Sequence, residues 1–530
     1  MLPQKHFINK SVTDMKYTNP DHLIQLIQSL TKAEKRYFRL YANLQSGEKN
    51  YLFLFDLINK GIPSDEVYRL YCQEENKNNF DMAAKHLYRV IMDCLVHLRK
   101  KEDVQATIFN YITKADILFE RELFEEAFNQ LNKAQKLAAT YENDPLLLLI
   151  RRTELKYLSS LGFNEISERE LVNKQMKIND IMKYSRNINL HLQLYDILKH
   201  RIANKGYIRS EKQKDNLNDL VLSELNLIAN NSYKGFEARK LHLLFQATYY
   251  LNTGNYKSAI RFYQELITLF ESNQHLILNP PIYYLSALKG ILDSLHLAGL
   301  YQEMPFFIDR LRKMQQGDYA TEFLLEINAS IYQYEQVSYI NTGKFEIALE
   351  LSGNYEDHLF KKIGLLRLET QLKLYLNTAI LYLCLEEPER AHKSMKKIFS
   401  SGKLFHTLPS YKTARLINLL ILAELGDYSF FENEINSIKR NIHYEKHIYR
   451  TEKLLFRFVM SYPLPSYQKA QNKLWMQFQK EIVKIREDKY EKQLLKTFDI
   501  LSWIESKLTN RPFAEILKEN YIGYPKSLTG

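Results

Sequence analysis

The sequence predicts an all-α chain, an α-solenoid of antiparallel helical hairpins closed by helical N- and C-terminal caps. Three observations point there. Glycine (16) and proline (13) are scarce for 530 residues, where average usage would give about 37 and 26. Sheets, β-hairpins and phosphate-cradling loops all need those residues. Apolar side chains return at helical rather than alternating spacing. A pattern of small and aromatic residues also recurs at a step near 43 residues, and recurrence of that length is the mark of a stacked helical array. The layout is read as residues 1–104, an N-terminal helical bundle, 105–462, the repeats, and 463–530, C-terminal amphipathic helices.

Residues 1–20 read as a loose leader, with the first helix starting after Pro20. The next start carries a capping box, Thr31 as N-cap and Glu34 three positions on. Along that helix Ala33, Tyr37, Leu40, Tyr41 and Leu44 form an apolar stripe, while Lys32, Lys35, Arg36 and Arg39 share another face. Three more helices are expected over 51–60, 65–73 and 80–101. In the last of them Ala83, Leu87, Val90, Ile91, Cys94, Leu95 and Leu98 keep helical period. The basic face is compatible with a helix-turn-helix-like module docking on phosphates. The plainer reading is a capping bundle with solvated lysines.

The clearest repeat begins at Ala247, where Ala247, Tyr250, Gly254, Tyr256, Ala259, Tyr263 and Leu266 stand in one frame. Ala247 and Ala259 sit where two helices cross and a larger side chain would force them apart. Gly254 suits a helix C-terminal turn, where a left-handed backbone costs least without a Cβ. The frame returns at Tyr339, Gly343, Phe345 and Ala348, and earlier at Ala115, Leu118, Phe124, Ala127, Leu131 and Ala134, with Glu122 in the glycine position. Gly299 and Tyr301, then Ala379, Tyr382 and Ala391, then Gly426 and Tyr428 continue it. Two degenerate units are expected around Gly162–Phe163 and Gly206–Tyr207.

This frame resembles the tetratricopeptide repeat, in which small residues let two helices approach and aromatics fill the gap between them. The usual step of that family is 34 residues. Positions equivalent to Ala259 (Met304, Ala348, Ala391, Phe431) step instead by 45, 44, 43 and 40. The repeats are therefore long and divergent, and a HEAT-like stack is the alternative. The resemblance implies a groove lined by the first helix of each hairpin. In this sequence that places Thr248, Asn252, Lys289, Asp293, His296, Gln333, Asn341 and Lys373 there as candidate peptide-binding residues.

After Pro463 and Pro465, one long amphipathic helix or two is expected from 467 to about 508, then a short one from 513 to 520. Trp475, Phe478, Ile482, Ile485, Leu494, Phe498, Leu501 and Trp503 supply its apolar positions, and Lys469, Lys473, Lys480, Lys484, Lys489, Lys492 and Lys496 its polar ones. A terminal cap, a partner-binding helix and self-association through these helices are the readings open to it.

The net charge of +11 lies at the ends. Residues 1–104 carry 16 Lys and Arg against 13 Asp and Glu, 105–402 carry 36 against 35, and 403–530 carry 21 against 14. Nucleic acid is thus a partner to consider through the basic ends. The three cysteines, Cys72, Cys94 and Cys384, are too few and too scattered for a disulfide framework or zinc site. With no signal-like leader and no long apolar run, a cytoplasmic location without membrane contact is expected. His443 and His447 stand four apart, but Tyr444 replaces the glutamate that a zinc-protease motif needs. No phosphate loop, dinucleotide fingerprint or nucleophile elbow occurs. Hence no catalytic residue, cofactor or metal is assigned. The expected function is a bacterial-type scaffold or adaptor that binds a protein or peptide. The alternative is a DNA-binding transcriptional regulator with contacts from Lys32, Lys35, Arg36 and Arg39.

Overall fold

The structure, a computed structural model, describes residues 20–43, 50–74, 80–99, 103–164, 166–205, 208, 210–229, 235–277, 280–402, 404–429, 431–443, 449–488, 491, 495 and 497–522. Among these there is no strand; every regular element is helical. Leu44, Gly206, Tyr207, Tyr444, His447, Lys489, Lys492, Leu494, Lys496 and the leader to residue 19 lie outside the described residues. The chain forms two compact units, one of residues 1–181 with 318–323, the other of 182–317 and 324–530.

In the first unit, α1 (Pro20–Ser29), α2 (Lys32–Asn43), α3 (Asn50–Asn59), α4 (Ser64–Glu74) and α5 (Phe80–Arg99) share one core. The capping box is present with both bonds. Glu34 Oε2 accepts from the Thr31 amide at 2.8 Å, and Thr31 Oγ1 accepts from the Glu34 amide at 3.1 Å. The expected apolar stripe of α2 is displaced, however. Phe38 and Ala42 are buried, Tyr37 and Tyr41 flank them, and Leu40 is 58% exposed. Phe38 is drawn inward because the Phe55 ring of α3 meets it at 4.6 Å, an aromatic contact that helix period alone does not reveal.

The next helices each pack on their successor: α6 (Val104–Phe119), α7 (Phe124–Thr140) and α8 (Asp144–Ser160). Ala115, Ala127, Ala134 and Ala138 line their closest approach, all fully buried. Tyr157 closes the group, stacking on Phe119 at 3.9 Å and donating its hydroxyl to Asp116 at 2.5 Å. Gly162 and Phe163 both have positive φ, so the expected turn is there. The helix beyond it is longer than the repeat spacing predicts: α9 (Glu168–Lys205) runs unbroken for 38 residues.

The second unit continues with α10 (Glu211–Asp215), α11 (Asn218–Ala229), α12 (Phe236–Asn252), α13 (Tyr256–Ser272), α14 (Ile282–Ala298), α15 (Met304–Gln315), α16 (Thr321–Asn341) and α17 (Phe345–Tyr355). Then come α18 (Leu368–Cys384), α19 (Pro388–Phe399), α20 (Pro409–Glu424), α21 (Phe431–His443) and α22 (Arg450–Val459). The turn residues Gly254, Gly299, Gly343 and Gly426 all have φ between +69° and +82°, and Glu386 holds the same position at +60°. Ala247, Ala259, Ala348 and Ala391 are fully buried at the helix crossings, in keeping with the repeat frame. No helix among the described residues is long and apolar enough to cross a membrane.

The C-terminal region is α23 (Gln468–Glu487), α24 (Ile500–Thr509) and α25 (Phe513–Ile522), so the expected long helix is two. Phe478, Ile482, Ile485, Phe498, Leu501 and Trp503 are buried in the same core as α16 to α22. Phe513 stacks on Phe345 at 6.0 Å, and the backbone of Ala514 lies against Gly343. Lys507 and Tyr462 both donate to Glu424, at 2.8 and 2.9 Å. The apolar positions of these helices are therefore used inside the chain.

Candidate functional site

Within the second unit, a row of polar contacts joins the first helix of each pair to the first helix of the next. Lys240 of α12 lies over the Tyr283 ring of α14 at 4.4 Å. Lys289 of α14 donates to Glu326 of α16 at 2.7 Å, and Arg367, which caps α18, donates to the same oxygen at 2.6 Å. Glu369 of α18 accepts from Ser410 of α20 at 2.6 Å, and Lys412 of α20 stands 3.1 Å from Glu452 of α22. At the end of the row, Glu491 accepts from the Arg450 and Thr451 amides at 2.8 and 3.0 Å and from the Thr451 hydroxyl at 2.8 Å. A carboxylate there suits the positive end of the α22 dipole.

The middle of the row is the most developed part. Tyr334 of α16 donates to the Lys289 carbonyl at 3.0 Å and to Asp293 at 2.8 Å, so α14 and α16 are tied twice. Burial holds the Lys289 ammonium below its usual range; Glu326 opposes this, while the like charges of Lys373 and Arg367 add to it. Burial pushes the Glu326 carboxyl upward, but Lys289 and Arg367 outweigh burial and hold it below the usual carboxylate range. Glu326 is thus ionised at neutral pH. In each cross-helix pair the cation is the more exposed partner: 26% against 10% for Lys289 and Glu326, 74% against 10% for Arg367 and Glu326, and 23% against 0% for Lys412 and Glu452. A molecule lying on this row therefore meets ammonium and guanidinium groups before carboxylates.

The candidate groove residues divide. Lys289, Asp293 and Lys373 come together around Glu326 and Tyr334. Gln333 is half-buried on α16. Asn252 and Asn341 turn back on their own helices, donating to the Thr248 and Val337 carbonyls at 2.8 Å each. The Thr248 hydroxyl is bonded to Tyr195 and Tyr263. His296 lies near the α14 terminus with its ring 5.7 Å from that of Tyr301. Sequence reasoning missed Glu326, Tyr334 and Arg367. A signal for Glu326 existed, since a carboxylate between Leu325 and Ile327 in an apolar run needs a buried partner.

Of the candidate nucleic-acid contacts, Arg39 is committed to Asp56 at 2.7 Å and lies 6.0 Å from the Phe55 ring centre. Lys32 and Arg36 are exposed and Lys35 is half-buried. No protein-family model matches this chain, and no curated protein does so either.

Proposed function

We propose that the chain is a scaffold that binds a protein or peptide partner, built as a long, divergent tetratricopeptide-like α-solenoid. The observation that carries this is the polar row along α14, α16, α18, α20 and α22. It is held in place by cross-helix bonds before any ligand arrives, and a pre-organised face loses less entropy on binding. The regular left-handed turns at Gly254, Gly299, Gly343, Glu386 and Gly426 support the repeat reading. A cytoplasmic, bacterial-type setting belongs to the same proposal, supported by three free cysteines.

The test is capture from a lysate of the producing cells with tagged full-length chain, beside an Arg367→Glu/Lys373→Glu variant. A protein recovered by the wild type and depleted at least about tenfold with the variant, equivalent to about 1.4 kcal/mol, supports the reading. Nothing recovered, or equal recovery by both, contradicts it. The regulator reading has the weaker support, because Arg39 is already paired and only Lys32, Lys35 and Arg36 are left to it. Salt-sensitive duplex binding abolished by Lys35→Ala/Arg36→Ala would favour it instead.

A further inference from the structure

The outer side of α23 presents Lys469, Lys473, Lys480 and Lys484, all exposed, with Met476 at 66% and Val483 at 51% exposure. Tyr467, at the N-cap, is 79% exposed beside them. Helical period places the four lysines, Met476 and Val483 on one face, opposite the buried Phe478, Ile482 and Ile485. Lys469 and Lys484 are about 22 Å apart along the axis. Of the helix's acids, Glu481 is taken by Arg457 and Glu487 stands at the far end. Among the described residues none of the four lysines has an ion-pair partner.

The turn between α6 and α7 shows the opposite pattern. Glu120, Glu122, Glu125 and Glu126 are exposed there beside Ile117 at 44% and Leu123 at 46%. None of these glutamates has an ion-pair partner among the described residues, and Arg121 folds back onto the Ile117 carbonyl at 3.1 Å. Two of them occupy places that local physics disfavours. Glu120 caps the C-terminal end of α6, where the helix dipole repels negative charge. Glu122 has φ of +62°, a conformation that costs a residue with a Cβ about 1–2 kcal/mol. Adjacent choices of one sign that bring no local gain are expected at a functional surface.

We propose that these two patches are the halves of one interface between copies of the chain, α23 of one copy docking on the α6–α7 turn of another. Four lysines face four glutamates, and Tyr467, Met476 and Val483 meet Ile117 and Leu123. Nucleic acid would engage the lysines but give Met476, Val483 and the four glutamates no role. A separate acidic protein would leave the glutamate patch unexplained. A second copy uses both. The contact is heterologous, because the two surfaces differ.

The experiment is sedimentation velocity on the full chain, with circular dichroism as the check on folding. The wild type should associate at about 0.1 M salt and weaken at least tenfold in Kd at about 1 M, as the Debye length falls from about 10 Å to about 3 Å. Lys473→Glu/Lys480→Glu/Lys484→Glu should be monomeric, and so should Glu122→Lys/Glu125→Lys/Glu126→Lys. Mixed in equal amounts, the two should associate, because the intact glutamates of the first meet the intact lysines of the second. If a reversal variant loses its helical spectrum, the neutral Gln versions should still weaken association at least threefold. A monomeric wild type at about 0.1 M salt overturns the proposal. So does association indifferent to both patches, or folded variants that stay apart when mixed. Duplex DNA binding by a monomeric wild type, lost in the lysine variant, would assign the patch to nucleic acid.

Discussion

Replacing Gly290 by alanine should destabilise the chain, against the usual sign for such a change. Gly290 lies mid-way along α14 with an ordinary helical backbone, and a glycine-to-alanine change in a helix interior normally gains about 0.5–1 kcal/mol. Here the added Cβ would stand 2.2 Å from Tyr263 Cζ, 2.4 Å from Cε1 and 2.6 Å from the hydroxyl oxygen. Carbon atoms rest at about 3.5–4.0 Å, so the ring would have to retreat by more than about 1 Å. It has nowhere to go: Tyr263 is 5% exposed and its hydroxyl is bonded to Thr248. Overpacking of this kind costs about 1–3 kcal/mol. Taking the upper end and subtracting the helix gain leaves about 2 kcal/mol lost. A double-mutant cycle isolates the cause. In a Tyr263→Leu background the obstruction is gone, and Gly290→Ala should recover its helix gain of about 0.5–1 kcal/mol. The coupling between the two sites should therefore be about 3 kcal/mol. Urea unfolding followed at 222 nm reads the midpoint, and amide exchange along α13 and α14 reads the local loss, which matters in a chain of two compact units. A Gly290→Ala chain as stable as wild type, or a cost unchanged with Leu at 263, would refute the clash.

Three further outcomes are expected. Glu386→Gly should raise the melting temperature, because relief of a left-handed residue at φ +60° exceeds the added unfolded-state entropy by about 0.5–1 kcal/mol; a lower melting temperature would count against it. Burial, with the nearby Glu142 charge, pushes the Asp144 carboxyl up to about 6. A raised carboxyl binds its proton more tightly when folded, so stability falls as pH rises from about 4 to about 6 and is flat above. Asp144→Asn should therefore gain about 1 kcal/mol at neutral pH, after allowance for solvent screening, and the gain should vanish near pH 4 in paired melts. Finally, burial pushes the Cys94 thiol up to about 11 and raises Cys384 as well, whereas Cys72 is only half-buried. Ellman's reagent should titrate one thiol rapidly in the native chain and all three in denaturant; three rapid thiols would show the cores to be open.

Features set by a few neighbouring residues were legible in the sequence. The Thr31–Glu34 box, the turns at Gly254, Gly299, Gly343 and Gly426, and the buried Ala247 and Ala259 needed only local spacing and the conformational freedom of glycine. Glu122 was recognisable as standing in a glycine position, and it adopts the glycine conformation. Features set by partners far along the chain were not legible. Leu40 and Phe38 are equally apolar, and only Phe55 decides which turns inward. Lys289 was a visible candidate, but its partner Glu326 lies 37 residues on and Arg367 a further 41.

The sequence by itself determined that this chain is helical, where many of its turns fall and which small residues let the helices approach, because backbone sterics and side-chain volume act over single turns. Only the tertiary structure decided which charges meet, that the helices after Pro465 pack back on Phe345 and Glu424, and that their lysine face is left outward. Those outcomes depend on desolvation, which makes a buried carboxylate such as Glu326 costly until distant cations reach it.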